Sequence, residues 1–86
     1  MENGLNFEEF KNIFSEYLGI DKEKLTRDVN ILFGLGIDSL TLINSMIRLE
    51  KEYNIKFENE DKIMTRTLGE VYDLFVKYTA DIDFKL

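Results

Sequence analysis

Apolar side chains at Phe7, Phe10, Ile13, Phe14, Tyr17 and Leu18 recur three and four residues apart, with Glu8, Glu9, Lys11, Asn12 and Glu16 between them. On a helix of 3.6 residues per turn this spacing gathers the apolar groups on one face, which predicts an amphipathic helix over residues 6 to 18. Asn6 is a good N-cap, Glu9 stands three residues on where it can reach back to the cap amide, and Gly19 supplies a stop. From Ile20 to Ile37 the periodicity fails, and Gly34 and Gly36 interrupt an apolar group of Ile31, Leu32, Phe33, Leu35 and Ile37. This reads as a long connection whose apolar side chains tuck against the core.

A second helix is predicted to begin at Asp38, whose carboxylate can cap first-turn amides. It runs through Leu40, Ile43, Met46 or Ile47, Leu49 and Tyr53 to a left-handed stop at Asn54. Ile55, Phe57, Ile63 and Met64 are expected core contacts of the following segment, with a short helical turn near Glu60 to Met64. Thr67-Leu68-Gly69-Glu70 has the pattern of a capping box and opens a last helix with an apolar stripe of Leu68, Val71, Tyr72, Phe75 and Tyr78. Phe10, Phe14, Tyr53, Phe57, Phe75 and Tyr78 are core candidates, and sustained period-two alternation is missing. The fold class is therefore all-α: a four-helix bundle of three longer helices and one short one, with a long first connection. No repeat or Gly/Ser linker divides it, so residues 1–86 are expected to form one domain with its core over residues 6–79.

Composition narrows the chemistry. The chain has no His and no Cys, which removes imidazole bases, thiol nucleophiles, disulfides and the usual zinc ligands together, so no catalytic activity of its own is expected. Glu58, Glu60 and Asp61 lack the spacing of a calcium loop and read as solvated surface, so no metal site is expected. A net charge of −6 repels nucleic acid and suits either partners with basic faces or simple solubility. Neither a signal-peptide pattern nor an apolar run of about 18 residues is present, which gives the expectation of a cytoplasmic protein without membrane insertion.

The segment Leu35-Gly36-Ile37-Asp38-Ser39-Leu40 closely resembles the attachment motif of acyl carrier proteins, in which Gly, a variable residue and then Asp-Ser-Leu open the second helix. Ile43, Met46, Ile47, Leu49, Glu50, Glu52 and Tyr53 fall where that family keeps an apolar helix with an acidic-aromatic end, and Thr67 to Val71 resembles the start of its fourth helix. The resemblance spans Phe7 to Tyr78. It implies an acyl-carrier-like four-helix fold in which Ser39 accepts 4′-phosphopantetheine from coenzyme A, Asp38 supplies motif context, and Leu40 turns inward to anchor the helix. It also implies a phosphopantetheinyl transferase and acyl-loading and acyl-processing enzymes as partners. These would read the second helix and its preceding loop, with Leu42, Ile43, Met46 and Glu50 as candidate docking residues. A shuttle of this kind is expected to be monomeric.

Physical chemistry agrees with that role for Ser39. A phosphodiester there would sit at a helix N-terminus, where free amides and the dipole favour negative charge. Asp38 is the only nearby base, and capping stabilises its charged form, which makes it a weak one. The sequence departs from bacterial fatty-acid carriers in placing Thr41, Leu42, Asn44, Ser45 and Arg48 where several acids are usual, and Gly34 where an acid is common. Leu42 either lies exposed beside the arm or widens the core stripe. Fatty-acid, polyketide, specialised acyl, aminoacyl and D-alanyl carriers all stay open, as does an unmodified helical interaction module that kept the architecture.

Overall fold

A computed structural model describes residues 5–85, with side chains described as far as Thr79. Four helices follow in order: α1 (Phe7–Leu18), α2 (Ser39–Tyr53), α3 (Asn59–Met64) and α4 (Leu68–Lys85), with a single 3₁₀ turn, Lys22–Lys24, in the long first connection. The described residues contain no strand, and the one β-bridge among them joins Asn30 to Thr67.

The helix ends form where their side chains can satisfy orphan amides. Asn6 Oδ1 accepts the Glu9 amide at 2.8 Å while Glu9 Oε1 accepts the Asn6 amide at 3.0 Å, completing the capping box of α1. Thr67 and Glu70 repeat the exchange at the start of α4, at 3.2 and 3.1 Å. Gly19 (φ 68°) and Asn54 (φ 55°) end α1 and α2 in the left-handed region, the role expected of each.

Phe10 and Phe14 from α1, Leu42, Met46 and Leu49 from α2, and Leu68, Val71 and Phe75 from α4 converge on one core, which the connection closes with Leu25 and Ile31. Phe10 is its centre, with ring centroids 5.3 Å from Phe14, 5.2 Å from Tyr72 and 5.3 Å from Phe75. Offset and tilted rings at this spacing add about 0.5–1.5 kcal/mol per pair to simple burial.

Three expected core contacts lie outside it. Phe33, Ile63 and Met64 are 84, 59 and 69% exposed. For α3 the reason is a polar residue on its inner side: Lys62 is buried and donates to both Glu50 carboxylate oxygens, at 3.3 and 3.2 Å. Glu50 Oε2 also accepts the Phe57 amide at 2.7 Å. The chain leaving α2 buries that amide beyond reach of a helical partner, and Glu50 supplies the acceptor it needs. With Lys62 turned inward, the adjacent Ile63 and Met64 rotate outward on so short a helix.

This pair couples α3 to α2 and should dominate the stability of that half of the bundle. Lys62→Met is expected to lower unfolding stability in urea by about 3 kcal/mol, because it strands a buried carboxylate. The double variant Glu50→Gln, Lys62→Met should recover a large part of the loss, since Gln still accepts from Phe57. A neutral single variant would show that the pair contributes nothing.

Candidate functional site

The long connection delivers the chain to Ser39 along a fixed path. Arg27 and Val29 carbonyls accept the Gly69 and Leu68 amides at 2.9 and 3.3 Å, and the Ile31 amide donates to the Arg66 carbonyl at 2.9 Å. A Cβ at Gly69 would stand 2.9 Å from the Arg27 carbonyl oxygen, so this close approach needs glycine. Beyond the pinned strand-like stretch, Asn30 builds a turn: its Oδ1 accepts the Phe33 amide at 2.8 Å and its carbonyl accepts the Gly34 amide at 2.7 Å. The Ile37 amide then returns to the Ile31 carbonyl at 3.2 Å, closing the loop just ahead of α2. Gly36 makes the return possible by adopting φ 70°.

Asp38 follows with extended backbone (φ −78°, ψ 163°), and its Oδ1 accepts the Thr41 amide at 2.8 Å. That hydrogen bond holds the carboxyl below its ordinary range, so Asp38 is a cap and a poor proton acceptor. Ser39 is the first residue of α2, and it is exposed. Two other aliphatic hydroxyls lie on the same helix. Thr41 is half-buried, and Ser45 is 5% exposed with its Oγ donating to the Thr41 carbonyl at 2.9 Å. Of the three, only Ser39 presents its hydroxyl on an open helix end.

The N-cap also sets the rotational phase of α2, and this corrects several expectations. Leu40 does not turn inward; it is 66% exposed. Leu42 takes the anchoring position at 1% exposure, because two residues along a helix rotate a side chain by about 200°. Of the candidate docking residues, Leu42, Met46 (0%) and Glu50 (8%) are buried, the first two in the core and the third in its bond with Lys62, so none offers its side chain to a partner. Ile43 is half-buried on the flank of the helix.

Further along α2, Tyr17 donates to Glu52 Oε1 at 2.6 Å, Arg48 Nε lies 3.4 Å from Glu52 Oε2, and the Arg48 guanidinium stacks 4.4 Å from the Tyr17 ring centroid. Burial, reinforced by the neighbouring Glu52 carboxylate, pushes the Tyr17 phenol well up. The Tyr17 hydrogen bond in turn draws the Glu52 carboxyl down. Both acids of α2 are therefore engaged within the fold. Nothing in hydrophobic periodicity signals these polar links, because they join residues 12 and 35 positions apart. Among the described residues no cluster of acids has the makings of a metal site, and no helix is long and apolar enough to cross a membrane.

Comparison with known proteins adds two findings. The family model described as "Phosphopantetheine attachment site" matches residues 8–75. An acyl carrier protein of Syntrophobacter fumaroxidans (strain DSM 10017 / MPOB) is 32% identical over 69 residues, covering 80% of this chain and 85% of that protein.

The cap gives the site a pH signature. Since the folded state lowers the Asp38 pKa, its contribution is present above the unfolded value, about 3.9, and is lost as pH falls through the lower folded value. Asn caps equally well without titrating. Asp38→Asn is therefore expected to reduce the acid-dependent loss of stability below about pH 4, measured by urea unfolding across pH; an unchanged profile would contradict the capping role. Gly36→Ala, forced into the left-handed region, should cost about 1 kcal/mol in the same measurement.

Proposed function

The chain belongs to the phosphopantetheine-attachment family, related to acyl carrier proteins and non-catalytic, and from that premise we propose that Ser39 carries the 4′-phosphopantetheine arm. The arm's terminal thiol holds acyl intermediates as thioesters and presents them to partner enzymes, which supplies the thiol that a chain without Cys lacks. The observation that carries this reading is the exposed Ser39 hydroxyl at the first turn of a helix whose cap is already formed.

Installation is chemically simple for the carrier. The Ser39 oxygen attacks one phosphorus of the coenzyme A pyrophosphate, the bond to the other phosphate breaks, and the adenosine bisphosphate leaves. The hydroxyl proton must pass to a base of the transferase, because Asp38 is held as an anion by the Thr41 amide and binds protons poorly. The resulting phosphodiester lies beside the first-turn amides of α2, where the positive end of the helix dipole stabilises its charge. No reorganisation of the helix start is needed.

The partners in this reading are a phosphopantetheinyl transferase and the acyl-loading and acyl-processing enzymes of fatty-acid, polyketide or related specialised biosynthesis, acting in the cytoplasm. The absence of acids between Ser39 and Ile47 favours a dedicated carrier over one serving general fatty-acid synthesis, whose carriers place acids there.

Incubation with coenzyme A, magnesium and a broad-specificity phosphopantetheinyl transferase tests the reading by intact mass. Wild type is expected to gain one phosphopantetheine unit and Ser39→Ala none. Failure of the folded wild type, with a known carrier modified in the same tube, would overturn it.

A further inference from the structure

By apolar contact alone, α3 would be the weakest-held helix of the bundle. It is six residues long, and its two large apolar side chains, Ile63 and Met64, stand in solvent. Polar bonds from two consecutive residues hold it instead. Lys62 donates to both Glu50 carboxylate oxygens on α2, and Asp61 Oδ2 accepts the Tyr78 hydroxyl of α4 at 3.0 Å. The Lys62 and Glu50 side chains are each 9% exposed, so their charges meet away from water, and Glu50 also accepts the Phe57 amide. The wall that α3 turns toward α2 is therefore ionic, with its hydrocarbon on the outside.

A long alkyl chain carried on an arm at Ser39 would be driven by its own hydration cost to seek cover in the core. The apolar stripe of α2 starts three residues from Ser39, at Leu42, and continues through Met46 and Leu49. To reach it the chain must part α2 from a neighbour. Toward α1 and α4, rings occupy the space: Phe10, Phe14 and Phe75 are fully buried, and Tyr53 meets Phe75 edge-on with centroids 5.1 Å apart. Interiors at native density take in added methylenes only by forcing side chains off their rotamers. Toward α3, the chain must separate Lys62 from Glu50, and Phe57, whose amide Glu50 holds, is itself buried with its ring 5.3 Å from that of Tyr78. Burying a few methylenes does not offset a desolvated ion pair torn apart. The cleft lined by Asp61, Met64, Thr65, Glu70 and Leu74 is open to solvent and edged by two carboxylates, which suits no alkyl chain.

Resting on the assignment of Ser39 as the attachment point, we propose that the buried Glu50–Lys62 pair bars long alkyl chains from the core, which makes short or polar acyl groups the cargo of this carrier. Such groups, an acetyl or a small hydroxyacyl for example, have little apolar surface to hide and stay in solvent with the arm. Lys62 is the residue that sets this specificity. Its stem fills the space between α2 and α3, and its ammonium, bonded to Glu50, keeps that space polar. A partner enzyme can then take the cargo without opening the bundle.

The test loads the protein from acetyl- or decanoyl-coenzyme A with a broad-specificity phosphopantetheinyl transferase, then compares thermal midpoints and backbone amide NMR shifts. Wild type is expected to unfold within about 1 °C in the two forms, with the amides of Met46, Phe57 and Phe75 unshifted, because a chain left in solvent stabilises nothing. The double variant Glu50→Gln, Lys62→Ala clears the space and leaves Gln to accept the Phe57 amide, so it stays folded. Its decanoyl form should melt about 4 °C or more above its acetyl form, with those amides shifted. A decanoyl wild type that gains about 4 °C over its acetyl form, with shifted core amides, would overturn the proposal, and this comparison stands without the variant. A folded double variant that responds to decanoyl no more than wild type does would overturn the role of the pair. Wild type that accepts neither group, with a known carrier loaded in the same tube, would instead overturn attachment at Ser39.

Discussion

Backbone hydrogen bonds between the long connection and the start of α4 are the constraint on which the placement of the site depends. Arg27, Val29 and Ile31 pair with Gly69, Leu68 and Arg66, and so tie a segment without periodic structure to one of the best-capped helix ends in the molecule. Loop backbone that approaches a core must satisfy its amides and carbonyls, and here the junction between α3 and α4 does so. Once Ile31 is fixed and fully buried, the short loop to Ile37 and the left-handed Gly36 leave little freedom in where α2 begins.

From that start the rotational phase of α2 determines the division of labour among its residues. With Asp38 as the cap, Leu42, Met46 and Leu49 meet the core, Glu50 turns to Lys62, and Ser39 and Leu40 remain in solvent. A carrier has no reaction to catalyse, so the requirement on its fold is one reachable hydroxyl on a surface that other enzymes can cover. The buried Ser45 and half-buried Thr41 show how one helix can hold three aliphatic hydroxyls and offer one.

Much of this was legible in the sequence. The caps at Asn6, Asp38 and Thr67 and the stops at Gly19 and Asn54 are local chemistry, readable over a few residues, and each stands in the structure as expected. The facing of side chains was harder. Leu40 and Leu42 are two positions apart in an apolar run, and periodicity cannot decide which is inward until the cap fixes the phase. On α3 the expectation of buried Ile63 and Met64 failed because a six-residue helix carries too little pattern to reveal that Lys62, paired with a carboxylate twelve residues away, occupies the inner side. Phe33 looked like core by its chemistry and is surface by its turn, which Asn30 and Gly34 hold outward.

The central claim is that one hydroxyl, Ser39, bears the arm, and site-resolved mass spectrometry tests it most directly. Trypsin releases the peptide from Asp28 to Arg48, which carries Ser39, Thr41 and Ser45 together. Fragment ions from protein treated with coenzyme A and a phosphopantetheinyl transferase should place the phosphopantetheine on Ser39 alone. An arm found on Thr41 or Ser45, or a peptide that stays unmodified while a control carrier is loaded, would contradict the account.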